Sequence, residues 1–320
     1  MAAWLASRAF VIAPIVAGPA GTLAAVLLLL PDFLLIVFGF VVCRWTPLNR
    51  PVWDAAERLV YYLLFPVLLF TSILKSPLQP ASAARFAASG LAIVASGILL
   101  SYAVGLLPGV DARRHASGAQ VAFRFNSYVA LALAERLGGA QGVAWIALLV
   151  ALCVPLTNIG AVWPLARHGG QPYLRELLRN PLIMSTVAGL VGNLAGLTLP
   201  EALTISLQRI GLAALPLGLM AVGAGLKTGG LRDAPGLAAA LLAIRHALLP
   251  LIALALIAAL GLPPAQATVL LAFAALPTAS SCYVLAARMG GDGAFVAGLV
   301  TASTLIGMVG VPAWLAVLGH

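Results

Sequence analysis

Ten apolar runs, each about 20 residues long and divided by short polar breaks, constrain this chain more than any other feature. They cover 21–44, 52–74, 86–107, 117–137, 141–166, 181–198, 202–226, 235–260, 265–288 and 293–318. At a rise of 1.5 Å per residue, about 20 residues span ~30 Å of hydrocarbon as a helix. In lipid every backbone polar group must be paired within its own segment, which a helix does. The breaks carry Pro, Gly or charge, as in "RWTPLNRP", "LPGVDARRH", "RLGGAQ", "GLPP" and "RMGGDG". Only 8% of residues are charged and 62% are hydrophobic, against about 25% charged in soluble domains. The expected fold is therefore an all-α membrane protein with ten transmembrane helices and no water-soluble domain.

The net charge of +9 comes from 18 Lys and Arg against 9 Asp and Glu. These cations are scattered singly and form no basic stripe with interleaved aromatics, which excludes a nucleic-acid partner. Counted by side, with loops alternating across the bilayer, ten Lys and Arg fall on one side and four on the other. The positive-inside rule makes the richer side cytoplasmic. Both termini are then expected on the periplasmic side of a bacterial inner membrane. Residues 1–20 have two readings: a weak signal-like segment around Arg8, or an extension upstream of the first helix.

The chain also repeats itself. Pro31 and Pro66 are 35 residues apart, as are Pro181 and Pro216. "VAFRFNSYVALALAERLGG" (121–139) aligns with "FAALPTASSCYVLAARMGG" (273–291), pairing Leu133 with Leu285, Arg136 with Arg288 and Gly138-Gly139 with Gly290-Gly291. A unit of five spans has an odd number of crossings, so the second copy enters the membrane from the opposite side and the two are inverted repeats. The expected division is 1–20 as an N-terminal extension, 21–166 as the first repeat, 167–180 as a cytoplasmic connection and 181–320 as the second repeat.

The same alignment sets Asn126 opposite Thr278, Phe125 opposite Pro277 and Ser127 opposite Ala279. Both fourth helices thus collect polar or helix-breaking residues at one point, and both are expected to be broken there. Pro277 offers no N–H and disfavours helical geometry at Leu276, while Asn and Ser side chains satisfy freed backbone groups. Irregular backbone at membrane depth persists only inside protein or beside a water-lined cavity, where transporters hold their substrates.

The segments "PDFLLIVFGFVVCRW", "ERLVYYLLFPVLLFTSI", "RFNSYVALALAERLGG", "NPLIMSTVAGLVGNLAG", "LPLGLMAVGAGL" and "ALPTASSCYVLAARMGGD" occur in this order. Together they resemble the auxin efflux carrier family of bacterial membrane transporters, from about Pro31 to the C-terminus. The resemblance implies broken fourth and ninth helices crossing at mid-membrane, and a scaffold of helices one, two, six and seven that forms a homodimer. It also implies a transport domain that carries an organic anion by an elevator-like movement, with Asn126, Ser127, Pro277 and Thr278 at the crossover. After the asparagine, where the family commonly has a small run with Gly and Pro, "SYVALAL" stands here, so the substrate's shape does not carry over.

Each polar residue has a structural reading beside the functional one. Asn126 and Thr278 offer an amide and a hydroxyl near half-helix N-termini, a seat for a carboxylate, or they cap broken helices. Ser280 and Ser281 line the site or bond back to their own helix; Tyr128 lines it or packs between helices. Arg124, about seven residues inside the fourth run, attracts the anion or snorkels to the cytoplasmic surface. Arg245 and His246 pose the same question in the eighth run. Asp32 carries a coupling proton, or caps a first helix that starts beside Pro31. Asn158 supports the site or bonds between helices, as Asn193 does. Asp54 and Glu57 are explained by the helix dipole alone.

A secondary carrier of a small organic anion, with a carboxylate as substrate, accounts for the repeat, the paired breaks and the scarcity of charge. A sodium or proton antiporter, or a sodium-coupled symporter, of similar crossover architecture would need acidic residues at the breaks. A membrane-embedded enzyme would need clustered carboxylates, histidines or a nucleophile with its base. His115, His168, His246 and His320 are dispersed, and Cys43, Cys153 and Cys282 read as packing residues. No catalytic residue, metal site or cofactor is therefore expected; the partners are the anion, the lipid bilayer and a second copy of the chain.

Overall fold

The computed structural model describes residues 19–75, 80–166, 181–226 and 230–318. Among these residues all regular structure is helical. Helix α1 spans Pro19–Trp45. Helix α2, Arg50–Leu59, leads through a π turn at Val60–Leu64 into α3, Phe65–Leu74. Next come α4, Pro80–Val104, and α5, Ala112–Gly118, which tightens into a 3-10 turn at Ala119–Ala122. Helix α6 runs over Ser127–Ala166, then α7 over Pro181–Leu194, α8 over Glu201–Leu212 and α9 over Ala214–Ala224. Helix α10, Pro235–Ala243, continues through a π turn at Ile244–Leu248 into α11, Leu249–Leu260. The described chain closes with α12, Pro264–Ala275, α13, Ser281–Arg288, and α14, Gly293–Val317.

Six of these stretches are long and apolar enough to cross a membrane: Arg50–Leu74, Ala83–Val104, Ala112–Leu165, Glu201–Ala224, Pro235–Leu260 and Gly293–Val317. Phe33–Trp45, Met184–Leu194 and Pro264–Ala275 are shorter apolar helices. The chain is a multi-pass membrane protein. Ala112–Leu165 has 54 residues, more than twice the length one crossing needs. It doubles back at Gly139, whose φ of 52° and ψ of −143° lie outside the helical region. That conformation suits a residue without Cβ, so the expected "RLGGAQ" loop is a far tighter turn than its length implied.

Local chemistry explains most boundaries. Pro51, Pro235 and Pro264 stand in the first turns of α2, α10 and α12, where a missing N–H costs nothing. Asp111 starts α5 by accepting the Arg114 N–H at 2.7 Å, and Asp292 starts α14 by accepting the Phe295 N–H at 3.0 Å. Gly261, with φ 58°, ends α11 in the left-handed conformation. Each π turn comes just before a proline, Pro66 or Pro250. Pro250 has no N–H for the carbonyl four residues back, on His246, and the Trp314 indole N–H takes that carbonyl at 2.8 Å instead.

Helix α1 packs along α9, and α3 packs on α7 and α8. Gly39 lies against the Met220 carbonyl and Gly223 against the Ile36 carbonyl, leaving no room for a side chain at either point. Such close approach gains dispersion energy where lipid gives no hydrophobic drive. Asn193 does bond between helices, donating to the Ile73 and Leu74 carbonyls at the end of α3, each at 3.0 Å. A second group of contacts joins α4, α6, α11, α12 and α14. Proline 31 falls inside α1, so the reading of Asp32 as the cap of a helix start does not hold. The Asp32 side chain lies outside the described residues, as do residues 1–18 and the connection 167–180.

The loops before α5, before α10 and before α14 meet on one face. Arg114 pairs with Asp292 at 3.0 Å and donates to the Asp233 carbonyl at 3.0 Å; Arg113 donates to the Gly290 carbonyl at 2.9 Å. Burial alone would raise the Asp292 carboxyl, but the Phe295 N–H and the Arg114 guanidinium outweigh it and hold Asp292 below its ordinary value.

Candidate functional site

Helical geometry stops at Phe123 and resumes at Ser127, and it stops again after Ala275 and resumes at Ser281. Both breaks fall where Asn126 and Pro277 led us to expect them, and they touch. The Asn126 N–H donates to the Pro277 carbonyl at 2.9 Å. Asn126 is 1% exposed and Thr278 0%, so the contact is closed to solvent on all sides.

Asn126 is the N-cap of α6. Its Oδ1 accepts the N–H groups of Tyr128 at 3.0 Å and Val129 at 3.3 Å, which fills two of the four donors a helix start leaves unpaired. The other end of the amide is unused. Nδ2 is buried and has no hydrogen-bond partner among the described residues. A buried donor without an acceptor costs about 1–3 kcal/mol, so its presence calls for an explanation. Ser127 opens α6 half-buried, and Tyr128 packs its ring 5.0 Å from that of Phe65 and against Gly218. Tyr128 thus touches α3 and α9.

Across the contact, Pro277 sits against Gly307 of α14, close enough that a Cβ there would stand 3.2 Å from the ring. The Thr278 N–H donates to Ser303 Oγ at 2.9 Å, and the Thr278 hydroxyl lies 3.5 Å from the Cys282 sulfur. Ser303 Oγ shares a further hydrogen bond, 2.8 Å, with His246 Nε2. Ser280 is half-buried in the break, and Ser281 begins α13.

Arg124 corrects an expectation. It lies in the break rather than inside a helix, and its side chain turns across the junction instead of along a helix toward the surface. Nη1 donates to Gln120 Oε1 at 2.9 Å, and Nη2 donates to Ser281 Oγ at 3.1 Å. Gln120 in turn donates to the Cys282 carbonyl at 3.1 Å and to the Ser117 carbonyl at 3.0 Å. The half-buried guanidinium thereby ties the two breaks together from the side. Ser281 is its acceptor, so the reading in which Ser281 serves only its own helix is too narrow.

Arg124, Asn126, Ser127, Tyr128, Pro277, Thr278, Ser280 and Ser281 gather within the two breaks and the first turns that follow. Asn158 is half-buried farther along α6, and among the described residues no hydrogen bond joins it to either break. Two residues of the junction were not singled out from the sequence, Gln120 and Ser303, while Arg245 was weighed there only as a second cation with two readings. Gln120 had a signal, since it precedes Arg124 by four residues on one side of the chain; Ser303 had none. No Asp or Glu stands in either break, and among the described residues no group of three His, Cys, Asp or Glu is placed to hold a metal ion.

The second half of the chain carries the decisive comparison. Residues 166–315, which include α12, its break and α13, match the family model for membrane transport protein. This stretch is thus similar to a family of membrane transporters, that of the auxin efflux carriers. No curated protein matches the chain. The matched stretch leaves out Asn126 and the first break, so the part played by those residues rests on their own geometry. For a transporter, two helix breaks buried against each other are a place to hold cargo, because their loose ends offer backbone and side-chain polar groups away from lipid.

Proposed function

We propose that this membrane transporter is a secondary carrier of a small organic anion, with a carboxylate group seated between the two breaks. The observation that carries the reading is the unpaired Asn126 Nδ2, a buried donor beside the N-terminus of α6. A carboxylate supplies the missing acceptor, and the helix dipole favours its charge. Arg124 stands at the side of the same junction with its guanidinium half-exposed, where it draws an anion inward. The absence of Asp and Glu from both breaks argues against a sodium- or proton-binding antiporter, which holds its ion with carboxylates.

In the same proposal the chain has ten spans arranged as inverted five-helix repeats, 21–166 and 181–320, whose broken fourth and ninth helices cross. The scaffold is α1 to α3 with α7 to α9, and the remaining helices move past it as an elevator. The mutual packing of α1 with α9 and of α3 with α7 supports that division. The exposed apolar side chains Val37, Phe38, Val187 and Val191 on α1 and α7 are then covered by lipid or by the second copy of a homodimer. The carrier sits in the bacterial inner membrane with both termini periplasmic. Because Asn126 and Thr278 are sealed from solvent, the anion enters only when the moving helices shift. Asp32 is the proton-coupling group in this scheme, and Asn158 supports the moving helices.

The test is a thermal-shift screen of the detergent-solubilised protein against mono- and dicarboxylates, amino acids and their uncharged amides. A ligand that binds only the folded state at 100 times its Kd stabilises it by about 2.7 kcal/mol. Stabilisation by at least one carboxylate and not by its amide is expected. A panel in which only cations or neutral compounds stabilise the protein refutes the reading.

A further inference from the structure

Among the described residues Arg245 is the largest fully buried side chain, 1% exposed, in the π turn between α10 and α11. Its guanidinium fork closes on the end of α12. Nε donates to the Leu276 carbonyl at 2.6 Å, and Nη2 donates to the carbonyls of Phe273 at 3.1 Å and Ala274 at 3.3 Å. The Phe273 carbonyl also accepts the Leu276 N–H at 3.4 Å, whereas α12 ends at Ala275 and Pro277 has no N–H to return, so the fork supplies the donors that the helix end lacks. Among the described residues no carboxylate pairs with Arg245; the ion pairs there involve only Arg50 and Arg114.

An arginine buried without an acid is costly, and in a membrane it marks a functional position more often than a structural one. Capping alone does not require it, since an Asn, Ser or backbone donor would satisfy the same carbonyls. The end of α12 carries about half a negative charge, and the guanidinium a full positive one. A net positive charge therefore remains next to Leu276 and Pro277, and the Pro277 carbonyl is the one that holds Asn126. Resting on the anion-carrier reading above, we propose that Arg245 is the charge-selecting residue of this site. It positions the α12 end through its fork, and its uncompensated charge makes the junction accept anions and reject cations and neutral analogues. It is a positioning residue: three of its five N–H donors, on Nε and Nη2, hold carbonyls at the end of α12, and in this proposal it acts on the anion through that helix end and its charge rather than by contact.

The groups around Arg245 that titrate or carry charge are few. His246 follows it on the same turn, bonded to Ser303, and Cys282 faces it from α13, with Arg124 beyond that thiol. Helix α4 bears Arg85 and Tyr102, the latter bonded to the Gly160 carbonyl. Helices α10, α11, α12 and α14 contribute none. Arginine is suited to the task because a guanidinium holds its charge when buried, whereas a buried lysine readily loses its proton.

The experiment compares full-length wild type, Arg245→Gln and Arg245→Lys by thermal-shift titration in detergent with two matched pairs, benzoate with benzamide and succinate with succinamide. Arg245→Gln is expected to weaken the carboxylate by about ten- to twentyfold, the effect of one charge at roughly 10 Å and an effective dielectric of about 20, while leaving the amide unchanged. Arg245→Lys is expected to bind the carboxylate within about threefold of wild type at pH 6.5 and to lose affinity as the pH is raised to 9.5 and the buried amine deprotonates. Wild type sets the baseline for His246, Cys282 and Tyr102 over the same range. Arg245→Gln binding the carboxylate as tightly as wild type overturns the proposal. If Arg245→Gln does not fold, an Arg245→Lys affinity that follows the wild-type pH profile overturns it equally. Wild type bound by no carboxylate of either pair defeats the anion reading itself, an outcome distinct from both.

Discussion

Replacing Asn126 with Asp separates the two jobs of that side chain. As a cap, Asp is the equal of Asn; it keeps an oxygen for the Tyr128 and Val129 N–H groups, now 3.0 and 3.3 Å from Oδ1. Those two donors and the α6 dipole favour its ionised form, so folding stability should move by no more than about 1 kcal/mol. As a ligand, Asp fails twice. It deletes the Nδ2 donor, worth about 1.5–3 kcal/mol toward a charged acceptor, and it sets a negative charge beside the carboxylate. At ~4 Å and an effective dielectric of about 20 that repulsion is about 4 kcal/mol. The sum exceeds a factor of about a thousand in affinity, since each 1.4 kcal/mol is tenfold. Asn126→Ala is the control: it should cost about 1 kcal/mol of stability by removing the cap, and only about 10- to 150-fold in affinity by removing the donor. The assay pairs melting temperature in detergent with uptake, into proteoliposomes, of whichever carboxylate stabilises wild type. An Asn126→Asp protein that melts normally and transports at the wild-type rate would refute the placement of the anion.

Three further expectations follow from the fold. A Cβ at Gly307 would stand 3.2 to 3.4 Å from the Pro277 ring, so Gly307→Val should push the second break away from Asn126, destabilise the protein by about 1–3 kcal/mol and lower anion affinity; an unchanged melting temperature would contradict it. The Asp292 carboxyl titrates below its ordinary value, so its tie to Arg114 and Phe295 contributes stability in full above about pH 4 and loses it as the pH falls through the depressed folded value. The gap in melting temperature between wild type and Asp292→Asn should therefore be open at pH 7 and shrink on acidification below pH 4; a gap that widens there reverses the assignment. In a background lacking Cys43, Cys153 and Cys282, a cysteine at exposed Leu106 should be shielded from impermeant thiol reagents in intact cells, while one at exposed Leu197 should be labelled; the opposite pattern overturns the orientation.

What the sequence by itself determined is the part governed by local rules. Run length and the cost of unpaired backbone in lipid are enough to dictate membrane-spanning helices, and the observed helices start and stop within a few residues of the apolar runs. Pro277 and Asn126 announced the two breaks, because a missing N–H and a capping amide act on the residues next to them. Tertiary structure decided everything that depends on which helix end meets which. Arg124 reads as a snorkelling cation until Ser281, 157 positions away in sequence, is brought to its guanidinium. Arg245 shows the same limit: as a residue in an apolar run it has no visible partner, because its acceptors are three carbonyls that it reaches only when α12 stops and folds against the π turn. Ser303 is one small polar residue among many until it takes the Thr278 N–H and reaches His246. Backbone groups have no sequence signature, and a site assembled from them becomes visible only when the chain is folded.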